Sequence, residues 1–85
     1  MKVLIASPLR SYTHASEVDA EGATLAEVLA DLERRYPGIR FRMIDEQEKM
    51  RPHMRFFLNC EQTFDLAHML RPGDDIAIVQ ALSGV

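Results

Sequence analysis

Eighty-five residues make one domain: a chain of this size buries only somewhat more than about 60% of the surface it exposes when unfolded, so one modest core must hold everything and a second lobe is excluded. Apolar residues at 47% and charged residues at 27% are the mixture of a chain that folds alone, not of a disordered one. Ten Lys and Arg against thirteen Asp and Glu leave a charge of −3, which repels a polyphosphate backbone and argues against a nucleic-acid partner.

No apolar run reaches the ~20 residues that a membrane span needs, and the opening MKVLIASPLR is too short in apolar residues for a secretory leader, so no membrane partner and a cytoplasmic location are expected. The single cysteine, Cys60, cannot form an internal disulfide.

In chain order, Lys2 to Ala6 is a short β-branched run closed by Ser7-Pro8 and reads as a first strand. Tyr12 to Ala20, polar with scattered apolar residues, is expected to pair back on it as a half-exposed second strand. The next segment, TLAEVLADLERRYPG, predicts a helix. Thr24 stands at the N-cap with Glu27 three residues later, a capping box in which each side chain serves the other's backbone N–H. Leu25, Val28, Leu29, Leu32 and Tyr36 fall on one helical face, Pro37-Gly38 ends the element, and Asp31 with Arg35 is read as an i,i+4 pair on the opposite face.

Ile39 to Pro52 has no clean period: it suggests a short extended or helical piece followed by a solvent loop, DEQEK. The basic residues from Arg34 to Arg55 are interleaved with Asp31, Glu33, Asp45, Glu46 and Glu48, which reads as a solvated mixed-charge face. MRFFLN, residues 54–59, is a strand that sends Phe56 and Leu58 inward and Phe57 outward; NCEQ supplies its turn, and a short strand or turn follows near Thr63-Phe64. LRPGDD is a second turn centred on Pro72-Gly73. In the last strand, Ile76 to Ala81, Ile76 and Ile78 face one side and Ala77 and Val79 the other.

Strands of this number with one crossover helix can bury the helix face only by laying it across one side of a single mixed sheet. The expected fold is therefore α+β, a β-grasp with four to five strands and one main helix packed across one face, in a single domain over residues 1–85 that ends in a short flexible tail, 82–85.

The helix motif from Gly22 to Leu32 (GATLAEVLADL), the FLNCE hairpin from Phe57 to Glu61, the LRPGDDIAI turn and strand from Leu70 to Ile78, and the small-residue end together resemble the ubiquitin-like sulfur carriers. That group includes the small subunit of molybdopterin synthase, the thiamin-pathway carrier and the carrier that feeds sulfide into cysteine synthesis; SPLRSYT and the long 38–57 segment are most similar to the last. The resemblance implies a co-substrate with no catalytic residue and no bound cofactor. An E1-like partner uses ATP to adenylylate the C-terminal carboxylate, a sulfur donor displaces AMP, and the thiocarboxylate passes sulfur to a biosynthetic enzyme. Activation of this kind is needed because a carboxylate is a poor electrophile and an acyl adenylate has a good leaving group.

On this resemblance the reacting end is Ser83, Gly84 and Val85. The family ends in Gly-Gly, and Val85 matches the second glycine. A branched side chain beside the reacting carbonyl is stiff and adds bulk in a channel shaped for none, an overpacking of roughly 1–3 kcal/mol that slows transfer by about one to two orders of magnitude or stops it. A non-covalent ubiquitin-like binding module, or a carrier variant that no longer turns over, is the alternative; attachment to lysines of other proteins is a third possibility.

Phe57, Ala77, Val79 and Leu82 are expected to form an apolar docking patch leading to the tail, unless segment 39–52 covers Phe57. His14, His53, His68 and Cys60 have no metal-ligand spacing, and Cys60 reads as a turn residue where positive φ is wanted.

Overall fold

The computed structural model describes residues 1–80; Ala81, Leu82, Ser83, Gly84 and Val85 lie outside the described residues. The elements follow as β1 (Lys2–Leu4), a 3-10 turn (Ser7–Leu9), α1 (Arg10–Thr13), β2 (Glu17–Asp19), α2 (Leu25–Arg35), α3 (Ile39–Met43), β3 (Met54–Leu58), β4 (Glu61–Thr63) and β5 (Asp75–Gln80). The strands form one five-stranded mixed sheet in the order β2-β1-β5-β3-β4. β5 lies at its centre, parallel to β1 and antiparallel to β3. This is the β-grasp that the element order predicts.

Alternation along the strands sorts the two faces. Val3, Met54, Phe56, Leu58, Ile76 and Ile78 are buried and share one core with Leu25, Val28, Leu29 and Leu32 of α2 and Ile39, Met43 and Ile44 after it. Residues at period 2 on the strands and period 3.6 on the helix thus meet in a single layer, as their spacing requires.

Four expectations change. Of Tyr12 to Ala20, only Glu17–Asp19 is strand; Arg10–Thr13 is a single helical turn entered through the 3-10 turn that holds Pro8 and closed by His14 at φ 57°. Proline suits a first helical position, and Thr13 bonds locally, its hydroxyl donating to the Ala15 carbonyl at 2.7 Å, so side chains compete with a ladder here. The arch rejoins β1 where Ile5 N–H donates to the Ser16 carbonyl at 2.8 Å.

Asp31 is not on a solvated face: it is 6% exposed and accepts a hydrogen bond from Glu21 N–H at 3.0 Å while pairing with Arg34 and with Arg35. Glu33 is no solvated charge either, because its carboxylate accepts from the Gly38 and Arg40 N–H groups at 2.8 and 3.0 Å and so caps α3. The unpatterned segment after α2 resolves into α3 and a bridge between Ile44 and Met50 around the turn that Asp45 organises.

The capping box is only half reciprocal. Thr24 Oγ1 accepts from Glu27 N–H at 3.3 Å, but the Glu27 carboxylate reaches the Ala23 N–H and the Thr24 hydroxyl, both at 3.4 Å. The next free donors of α2 go to the chain before β5: Leu25 and Ala26 N–H donate to the carbonyls of His68 and Leu66. Glycine at position 22 follows from close approach, since a Cβ there would lie 2.6 Å from the Val28 nitrogen.

Candidate docking face and tail exit

Turning Ile76 and Ile78 into the core turns Ala77 and Val79 to the opposite, open face of the sheet. The ladders then set one row across it: Glu17, Leu4, Ala77, Phe57 and Gln62 are successive register partners. One row toward the start of β5 stand Asp19, Lys2 and Asp75; one row toward its end, Val79 faces Arg55.

Phe57, Ala77 and Val79 are therefore brought together as the sequence suggests, whereas Leu82 lies outside the described residues, with Ser83, Gly84 and Val85. Phe57 and Ala77 are half-buried and Val79 is 42% exposed. Segment 39–52 sends Ile39, Met43 and Ile44 into the core on the other face, the side away from Phe57. Leu4, 50% exposed, belongs to the same face and went unassigned by sequence reasoning. Its signal was period 2 in β1: if Val3 points inward, Leu4 points outward.

Small Ala77 between larger Leu4 and Phe57 leaves an open groove of about 500 Å³, with Lys2, Glu17, Cys60 and Asp75 among its other lining residues. A second, of about 640 Å³, runs beside the end of β5, lined by Ser7, Pro8, Arg10 and Ser16 of the arch together with Val79 and Gln80. The arch thus flanks the end of β5 on one side while Met54, paired with Gln80, holds the other.

The start of β5 is locked to the β3–β4 hairpin. Asn59 N–H donates to the Asp75 carbonyl at 2.9 Å, and its side-chain oxygen accepts from Asp75 N–H at 3.0 Å. The Asp74 carboxylate accepts from Arg71 N–H at 2.8 Å and from the Asn59 side-chain amide at 3.1 Å. The Arg71 N–H and then that amide hold the Asp74 carboxyl below the usual carboxylate range. Gly73, at φ 93° after Pro72, supplies the positive φ of this turn.

Asn59 and Cys60 both have positive φ, at 49° and 72°, as a two-residue type I′ hairpin requires, and the turn is those two residues alone since Glu61 already pairs with Leu58. Cys60 is an exposed free thiol. Among the described residues no group of three His, Cys, Asp or Glu side chains is placed to hold a metal, and no helix is long and apolar enough to cross a membrane.

The described chain is thus a β-grasp whose central strand has an anchored start and outward residues on the sheet face opposite the helix. The chain belongs to the ThiS family of sulfur carriers, co-substrates and not catalysts; the family model matches residues 3–84. It is 33% identical over 92 residues to "Sulfur carrier protein CysO" of Mycobacterium tuberculosis, covering 99% of each chain. A chain in the crystal structure of the Amycolatopsis orientalis BexX/CysO complex superposes with a TM-score of 0.90 at 32% identity, covering 99% of this chain and 98% of that one. The crystal structure of SAMP1 from Haloferax volcanii, at 23% identity and a TM-score of 0.81 over 100% of this chain and 98% of that one, shares the fold.

Proposed function

We propose that this chain carries sulfur as a C-terminal thiocarboxylate. The carboxylate of Val85, at the end of Ser83-Gly84-Val85, attacks the α-phosphorus of ATP in an E1-like partner and expels pyrophosphate. Hydrosulfide delivered by a sulfur donor then adds at the acyl carbon, AMP leaves with the C–O electron pair, the S–H proton goes to solvent, and a thiocarboxylate remains for a biosynthetic enzyme to consume. The carrier supplies position, not catalytic groups. Family membership with CysO relatives matched over nearly the whole chain supports cysteine synthesis as the pathway, ahead of molybdopterin or thiamin. The BexX/CysO complex supports a protein as recipient. ATP belongs to the activating partner, and the reaction places the carrier in the cytoplasm beside it.

The observation that carries this reading is the placement of β5: the strand that precedes residues 81–85 is central, held by ladders on both sides, and its outward residues lie on the sheet face that the described helices leave open. Val79, Ala77 and Phe57 form the docking patch among the described residues, with Leu82 as its expected extension. Val85 favours a second reading, a ubiquitin-like module that occupies the partner without turnover, because a β-branched residue at the reacting carbonyl resists activation.

Intact mass after incubation with the E1-like partner, ATP and a sulfur donor separates the two. Replacement of one oxygen by sulfur, enhanced about ten- to a hundredfold in rate by Val85→Gly, is expected of a carrier. Partner binding with no mass change in either form would leave the binding module.

A further inference from the structure

The open face is not uniform in charge, and the charges follow the direction of β5. Outward residues of β5 run Asp75, Ala77, Val79. Ala77 is the floor of a trough whose walls are Leu4 on one side and Phe57 on the other, one strand away each. With strands about 4.8 Å apart, the backbones that carry the two walls stand about 10 Å from each other, and the Leu4 and Phe57 side chains narrow the space between them. In the row toward the start of β5, Asp19 and Asp75 flank Lys2, two carboxylates to one ammonium; Glu17 lies beside Leu4 in the Ala77 row, and Glu17, Asp75 and Lys2 line the groove itself. Near the end of β5 the charged residue of the row is Arg55, across from Val79.

We propose that this trough seats an arginine side chain of the E1-like protein that takes up the tail. Its aliphatic stem lies on Ala77 between Leu4 and Phe57, and its guanidinium points toward Asp75 at the start of β5, with Glu17 lining the same groove beyond Leu4. The chemistry selects arginine: a guanidinium is weakly hydrated enough to rest on an apolar floor, stacks on an aromatic ring such as Phe57, and pairs with carboxylates. Basic residues with apolar stems are also the side chains that anchor interfaces at a groove. Because Asp75 stands at the start of β5 and Arg55 faces Val79 near its end, the same contact sets which way round the partner sits on the sheet. This inference rests on the carrier reading above and names the chemistry of its docking partner.

The test is the affinity of the full chain for the purified E1-like partner, without ATP, at low and high salt. Glu17→Lys and Asp75→Lys are each expected to weaken binding about tenfold or more at low salt and to flatten its salt dependence. Ala77→Leu, which fills the trough and changes no charge, is expected to weaken binding by a similar factor at both salt concentrations. Glu46→Lys, an equal charge change in the exposed Asp45 turn, controls for net charge, and thermal melting checks that each variant is folded. Glu17→Lys and Asp75→Lys binding within twofold of Glu46→Lys, or Ala77→Leu binding as the unaltered chain does, overturns the arginine seat while leaving the carrier reading in place. No binding by the unaltered chain overturns both.

Discussion

At the scale of single residues, Asp31 shows how much a charge pattern conceals. As an i,i+4 partner of Arg35 on an exposed face it would contribute a few tenths of a kcal/mol. Instead it fastens the chain after β2 to α2, because its buried carboxylate accepts the Glu21 N–H. That N–H, opposed by burial and aided by Arg35 and Arg34, holds its carboxyl below the usual carboxylate range. A depressed carboxyl contributes stability that is present above its unfolded value of about 4 and lost as pH falls through the lower folded value. Asp31→Ala, which leaves the Glu21 donor unserved, is expected to cost about 1.5–3 kcal/mol at pH 7 by urea denaturation. The gap between the two proteins should narrow as the pH is taken below about 4. A gap that stays constant down to acid pH would show that the charge of Asp31 contributes nothing.

At the scale of elements, the β3–β4 hairpin carries a local cost. Cys60 sits at φ 72°, where a residue with a Cβ is destabilised by about 1–2 kcal/mol. Cys60→Gly is expected to stabilise the fold by about 1 kcal/mol, raising the melting temperature by roughly 4–8 °C. An unchanged or lower melting temperature would mean that the turn already relieves its strain. The preceding Asn59 tolerates the left-handed region and spends its side chain and N–H on Asp74 and Asp75, so the hairpin also sets where β5 begins. Helix α2 was legible from period and cap alone. Its neighbour α3 was not, because its N-terminus is capped by Glu33 from α2, a partner that no local window contains.

At the scale of the whole molecule, the sheet order decides what the carrier can offer another protein. With α2 and α3 contributing to the core on one side, apolar residues left on the other side have no partner within the described chain except one another. Val79→Asp tests that face: exposed, and facing Arg55 in the ladder, it is expected to leave stability within about 1 kcal/mol while weakening the E1-like partner's affinity at least tenfold. Full affinity in this variant would move docking to another surface.

Period and punctuation in the sequence determined α2, the direction of alternation in β3 and β5, the turns at Asn59-Cys60 and Pro72-Gly73, and hence a β-grasp. These are local choices of backbone and of which side chains leave water, and each is written within a few neighbouring residues. Only the tertiary structure decided that Tyr12 belongs to a helical arch, that Asp31 is buried beneath Glu21, that the segment before β5 closes the start of α2, and that Leu4 joins Phe57 across Ala77. Those outcomes depend on which strands become neighbours and which backbone donors are left for distant acceptors, and pairing between segments tens of residues apart leaves no periodic mark on either one.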